Sequence, residues 1–219
     1  MLSPARVVIV EDEDLFRGLM TTSLASYGEV AVVGSYRNGE EALQHVMEDA
    51  PDVALLDIDL GPGDTGVHVG LRMRRMLPDI GIVLLSNYDE PGVLTAIPRE
   101  ELSGWSYLLK KSVAHIETII RAIEGARAHL VVLDPHLVAA YRPRPQGAVA
   151  SLTPRQRDIL KLIAQGYSNA GIAAELVITP KSVENYVSQI YQALSIDATA
   201  STLHARVKAT LIFLEESGH

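Results

Sequence analysis

The stretch "DVALLDID", residues 52–59, decides the reading of the chain. Val53 to Leu56 is an unbroken apolar run of strand length, the pattern of a strand buried on both faces. It ends in two carboxylates, Asp57 and Asp59. A carboxylate at a buried strand end is costly unless it is paired or holds a metal. The fold and the function both depend on the surroundings of these two residues.

Four more runs of the same kind flank it. They are "RVVIVED" from Arg6, "VAVVGSY" from Val30, "GIVLLSN" from Gly81 and "WSYLLK" from Trp105. Helical periods separate them: residues 14–27 with Leu15, Leu19 and Leu24 at helical spacing, "GEEALQHVMEDA", "GLRMRRML", and "SVAHIETIIRAIEGARAHL" with Ser112 as N-cap. Five apolar strands alternating with helices predict a doubly wound α/β unit with a five-stranded parallel sheet. Between the fourth and fifth strands, Pro91 and Pro98 predict a short helix followed by irregular chain.

Composition narrows the classes. The 219 residues contain no Cys, which excludes disulfides and thiolate-bound metals. No basic-then-apolar leader opens the chain and no apolar run has membrane-spanning length, so a cytoplasmic protein is expected. The net charge of -8 falls wholly within residues 1–150, and residues 151–219 are neutral. The acidity belongs to the α/β part, and a neutral C-terminal module remains compatible with nucleic acid.

In an open parallel sheet, ligands bind at the carboxyl ends of the strands. Those ends bring Glu11, Asp12, Asp57, Asp59, Ser86 and Lys110 to one rim. Hard oxygen donors suit Mg²⁺, and a carboxylate beside the ion can attack a phosphoryl group. Ser86 and Lys110 are placed to stabilise the phosphoryl oxygens. The segment "GPGDTG", residues 61–66, also matches a dinucleotide fingerprint. It comes after the third strand instead of the first, and Asp57, Asp59 and Asp64 would oppose a pyrophosphate. It reads as a loop needing flexible backbone.

With "VEDE" at 10–13, "LLDID" at 55–59, "LLSN" at 84–87 and "YLLK" at 107–110, this part resembles the flavodoxin-like receiver domain of two-component response regulators. The resemblance implies Asp57 as phosphoacceptor, with Glu11, Asp12, Asp57 and the Asp59 backbone carbonyl around Mg²⁺. It implies Ser86 and Lys110 as phosphate sensors, and Tyr107 as an aromatic switch that turns inward when Ser86 moves. It further implies a partner histidine kinase.

"YRPRPQG", residues 141–147, reads as a semi-rigid linker. Beyond it every period is helical. Thr153-Pro154 with Gln156 forms a capping box, Ser168 caps a second helix, and Thr179-Pro180 opens a third. The third helix buries Val183, Val187, Ile190 and Leu194 and turns a polar stripe outward. A last helix carries Ala200, Leu203, Val207, Leu211 and Leu214. Two short helices and a tight turn predict an all-α helix-turn-helix, with the later helix in the major groove. Asn185 suits adenine and Glu184 suits cytosine, Thr179, Lys181 and Ser188 suit phosphates, and Ser182 is a further DNA-binding candidate.

The motifs "LTPRQ", "LIAQGYSN", "IAAEL" and "SVENYV" resemble the C-terminal domain of the NarL/FixJ (LuxR-type) regulators. Glu184 stands where that family often has Lys. The expected organisation is a receiver at 1–130, a linker at 131–150 and a helix-turn-helix domain at 151–219. The expected function is transcriptional regulation by a non-enzymatic, DNA-binding homodimer phosphorylated on Asp57. The alternative is a regulator of the same build that acts independently of phosphorylation.

Overall fold

The computed structural model describes residues 3–61, 65–89, 94, 97–197 and 204–216. The chain divides into two compact units, Met1–His129 and Leu130–His219.

The first unit is the doubly wound sheet. Strands β1 (Ala5–Val10), β2 (Val30–Tyr36), β3 (Val53–Asp57), β4 (Gly81–Ser86) and β5 (Trp105–Leu109) pair in parallel. Within this unit the sheet order is β2-β1-β3-β4-β5. A two-residue strand, β6 (Val132–Leu133), lies in the second unit and is one strand more than the five expected. So short a strand carries no apolar period, which hides it in sequence. Every residue of β3, β4 and β5 is buried, as continuous apolar runs require.

Helices α1 (Asp14–Ala25), α2 (Gly39–Asp49), α3 (Gly66–Met76) and α4 (Ile116–Arg127) cover the sheet. Three local expectations change. On α1 the buried residues are Met20 and Leu24, while Leu15 and Leu19 are 80% and 58% exposed. Helix α3 starts at Gly66, earlier than its apolar period suggested, because Thr65 accepts a hydrogen bond from the His68 amide. Ser112 is not an N-cap: residues Lys110–Ala114 form a 3-10 turn, and α4 begins after His115. That turn adjoins β5 directly and leaves Lys110 at the strand end.

The short helix expected after β4 falls largely outside the described residues. Immediately after Pro98 the chain forms a 3-10 turn, Arg99–Glu101. Arg74 of α3 anchors this region, donating to the Ile80 and Glu101 carbonyls at 3.0 and 2.9 Å.

The second unit is helical. Helices α5 (Pro135–Ala140) and α6 (Ala148–Ser151) bracket the Pro-rich stretch. That stretch packs within the unit: Tyr141 stacks on Phe213 at 3.8 Å, and the Glu216 carboxylate accepts from the Ala148 and Val149 amides at 2.8 and 2.7 Å. Helices α7 (Pro154–Ala164), α8 (Asn169–Glu175) and α9 (Pro180–Ala193) each carry the side-chain cap expected from Thr153, Ser168 and Thr179. The full capping box with Gln156 is present on α7.

Helix α10 (Ala205–Glu215) buries Val207, Leu211 and Phe213 against the rest, and Leu214 is half-buried. Ala200 and Leu203 lie outside the described residues.

Candidate functional site

The site is built at the carboxyl ends of β1, β3, β4 and β5. The β3–β4 register pairs Asp57 with Leu85, so Ser86 lies one residue past that pairing on the adjacent strand. Ser86 in turn pairs with Leu109, which places Lys110 next along. Glu11 comes directly after β1 and donates its amide to the Tyr36 carbonyl at 3.0 Å. Gly66 permits the close turn after β3: a Cβ there would sit 2.2 Å from the Asp57 carbonyl oxygen.

Lys110 is the centre of the arrangement. Its Nζ lies 2.8 Å from Asp57 Oδ2 and 2.8 Å from Glu11 Oε2; both carboxylates are buried and the Lys110 side chain is 9% exposed. The Phe16 ring covers the ammonium at 4.9 Å from its centroid. Ligand oxygens of Glu11, Asp12 and Asp57 all lie within 4.8 Å of one another. Asp12 is exposed, so the cluster opens to solvent on its side. Asp59 is exposed too, and its amide donates to Asp57 Oδ1 at 3.2 Å. Asp57 is thus held through both of its oxygens.

One ammonium serves two buried carboxylates, and this shapes the titration. Burial pushes the Glu11 carboxyl up to about 7; the hydrogen bond from Lys110 opposes the rise and the Asp57 charge adds to it. Burial alone would lower Lys110, but its hydrogen bonds to Asp57 and Glu11 outweigh that and raise it.

Ser86 and Tyr107 meet at a single residue, Tyr88. The Tyr88 amide donates to Ser86 Oγ at 3.0 Å, and the Ser86 hydroxyl donates to the Tyr88 carbonyl at 3.2 Å. The Tyr107 hydroxyl donates to the same carbonyl at 2.7 Å. Tyr107 is buried, in the inward position.

Sequence reading did not single out Phe16, Tyr88 or Arg17, which donates to the Glu11 carbonyl at 2.7 Å. The apolar period around Phe16 marks a helix but gives no sign of a cation above the ring.

On the second unit, the outward residues of α9 include Lys181, Glu184, Asn185 and Ser188; Ser182 is half-buried. Thr179 Oγ1 accepts from the Ser182 amide at 3.1 Å and lies 2.9 Å from the Ser182 hydroxyl. Lys181 Nζ is 2.9 Å from Glu184 Oε2.

Residues 7–124 match the response regulator receiver domain model, more than half of the chain, and residues 150–203 match the model for bacterial regulatory proteins of the luxR family. The chain belongs to the two-component response regulators with a LuxR-type output domain. It is 31% identical over 211 residues to the probable transcriptional regulatory protein NarL of Mycobacterium tuberculosis, covering 94% of this chain and 95% of that one. It is 33% identical over 202 residues to the nitrate/nitrite response regulator protein NarL of Escherichia coli, covering 88% and 90%.

A solved structure of RcsB dimers bound to DNA superposes with a TM-score of 0.54 at 18% identity, over 97% of this chain and 98% of that one, and shows the shared fold. With a receiver domain and a LuxR-family regulatory domain, and with NarL regulators as relatives, this chain is a DNA-binding response regulator that controls transcription. Among the described residues, no helix is long and apolar enough to cross a membrane.

Proposed function

We propose that the regulator is a cytoplasmic phosphorylation-dependent switch, with Asp57 as the phosphoacceptor and a histidine kinase as the donor. The observation that carries this reading is the buried Asp57–Lys110–Glu11 trio. Asp57 is oriented by Lys110 on one oxygen and by the Asp59 amide on the other.

In the reaction, a carboxylate oxygen of Asp57 attacks the donor phosphorus. The bond from phosphorus to the leaving group breaks, and the leaving group departs with that electron pair. The new phosphoryl oxygens draw Lys110 and the Ser86 hydroxyl as partners. Ser86 can reach them only by giving up the Tyr88 backbone, which is also the partner of Tyr107.

The residues fit a divalent cation. Glu11, Asp12 and Asp57 are all oxygen donors, one is exposed, and a single ammonium leaves them under-neutralised. Together with the Asp59 carbonyl they would hold Mg²⁺, which would keep Glu11 ionised and offset the charge of the incoming phosphoryl group. Binding of DNA as a homodimer, with the cap residue Thr179 and Lys181, Ser182, Glu184, Asn185 and Ser188 of α9 facing the duplex, completes the proposal.

Intact mass after incubation with Mg²⁺ and a small-molecule phosphodonor tests the reading. One phosphoryl group is expected on the wild type and none on Asp57→Asn.

The inward Tyr107 and the engaged Ser86 favour a second reading, in which the output face is already set and phosphorylation is dispensable. Under that reading, Asp57→Asn leaves DNA binding and oligomeric state unchanged in the presence of phosphodonor.

A further inference from the structure

Helix α9 carries two charged side chains, Lys181 and Glu184, and they neutralise each other at 2.9 Å. The remaining outward positions include Asn185, Ser188, Gln189 and Gln192, all uncharged. An exposed pair of this kind adds little to stability. Helix stability is thus a poor reason for a carboxylate on this face. DNA is a polyanion, so a carboxylate brought to its surface is repelled unless a donor receives it.

The major groove restricts which donor that is. Guanine offers only the acceptors N7 and O6, and thymine offers O4 and a methyl group. Amino donors come from cytosine N4 and adenine N6 alone. Adenine places its N7 acceptor beside the amine, which suits a carboxamide and repels the second oxygen of a carboxylate. Cytosine carries no acceptor of its own beside its amine in this groove, where its C5–H stands instead of the N7 of adenine. An ionised carboxylate accepts only, so its complement is cytosine.

We propose that Glu184 is a specificity-determining residue that reads the amino group of one cytosine in each half-site, and that Lys181 holds the carboxylate in place until DNA supplies that amine. The inference rests on the reading of α9 as the base-reading helix. It also separates Glu184 from its neighbour Asn185, whose carboxamide matches adenine.

Selection from a randomised duplex library with the full-length chain tests it. Wild type is expected to enrich cytosine at one position per half-site by about tenfold or more over the other bases. Glu184→Ala is expected to lose that preference and keep the others. Glu184→Gln is expected to move it towards adenine, and Lys181→Ala to retain cytosine. Both side chains are exposed, so the variants keep the fold.

An unchanged preference at every position in Glu184→Ala would overturn the inference and leave Glu184 as the partner of Lys181 only. A wild type that retains duplex but enriches no sequence would overturn the reading of α9 itself, and the inference with it.

Discussion

The Tyr107 hydroxyl donates to the Tyr88 carbonyl at 2.7 Å, and the Tyr88 amide and carbonyl both engage the Ser86 hydroxyl. Two side chains from adjacent strands thus share one backbone unit just beyond β4. Tyr107→Phe removes one bond to a carbonyl while keeping the ring. It is expected to cost about 1 kcal/mol in denaturant unfolding. It is also expected to change the rate at which phosphodonor labels Asp57, since Ser86 then holds the Tyr88 carbonyl without Tyr107 as a competing donor. An unchanged labelling rate would separate Tyr107 from the phosphoryl site.

Glu11 sets a pH dependence. Its folded value near 7 lies above the ordinary 4.5, so between these the folded chain holds a proton that the unfolded chain has released. Its stabilising contribution is full below about pH 4.5 and is lost as pH rises through about 7. In a chelating buffer, Glu11→Gln is expected to shrink the stability difference between about pH 5.5 and about pH 7.5 by on the order of 2 kcal/mol. Chemical denaturation at the two pH values measures this. Lys110, raised above its ordinary 10.5, titrates outside this window.

Val177, in the turn between α8 and α9, has φ of 53° and is 90% exposed. A β-branched residue in the left-handed region is strained, and here little packing compensates. Val177→Asn or Val177→Gly is expected to stabilise the protein by about 1 kcal/mol. Thermal unfolding monitored by circular dichroism would show the midpoint rise, and a fall would place the strain elsewhere.

Glu216 closes the second unit by accepting two amides at the start of α6. Glu216→Ala leaves both donors without that partner and is expected to cost about 2 kcal/mol. Glu216→Gln, which keeps one acceptor oxygen, is expected to cost less. Urea unfolding of the two variants orders them.

Leu15 and Leu19 form an exposed apolar pair one turn apart on α1, which begins two residues after Asp12. That position suits contact with a phosphodonor protein. Leu15→Ser with Leu19→Ser is expected to slow transfer from the kinase at least tenfold while leaving labelling by a small phosphodonor unchanged. Equal slowing of both would mean that the pair supports the site and not a partner.

Much of this protein is settled within short windows of its chain. Thr153, Ser168 and Thr179 cap their helices as read, because a cap is a matter of three or four consecutive residues. The buried strands are legible for a similar reason: a parallel sheet covered on both faces demands unbroken apolar runs. The chemical types at the site were legible once those strands were aligned, since the carboxyl ends of parallel strands share one rim.

Longer-range features required the folded chain. Helix α1 offers two apolar faces, Leu15 with Leu19 on one and Met20 with Leu24 on the other, and packing buries the second and leaves the first in water. Hydrophobicity says that a face is wanted and does not say which one the sheet will accept. Lys110 bridges residues 53 and 99 positions away, and Glu216 caps a helix 67 and 68 positions before it. These pairings exist only because tertiary packing brings distant side chains within hydrogen-bond reach, where burial turns ordinary acids and amines into partners. The sequence by itself determined the main strands and helices, their order and the ionisable groups of the site; tertiary structure decided which of those groups touch, because contact depends on packing that no local period encodes.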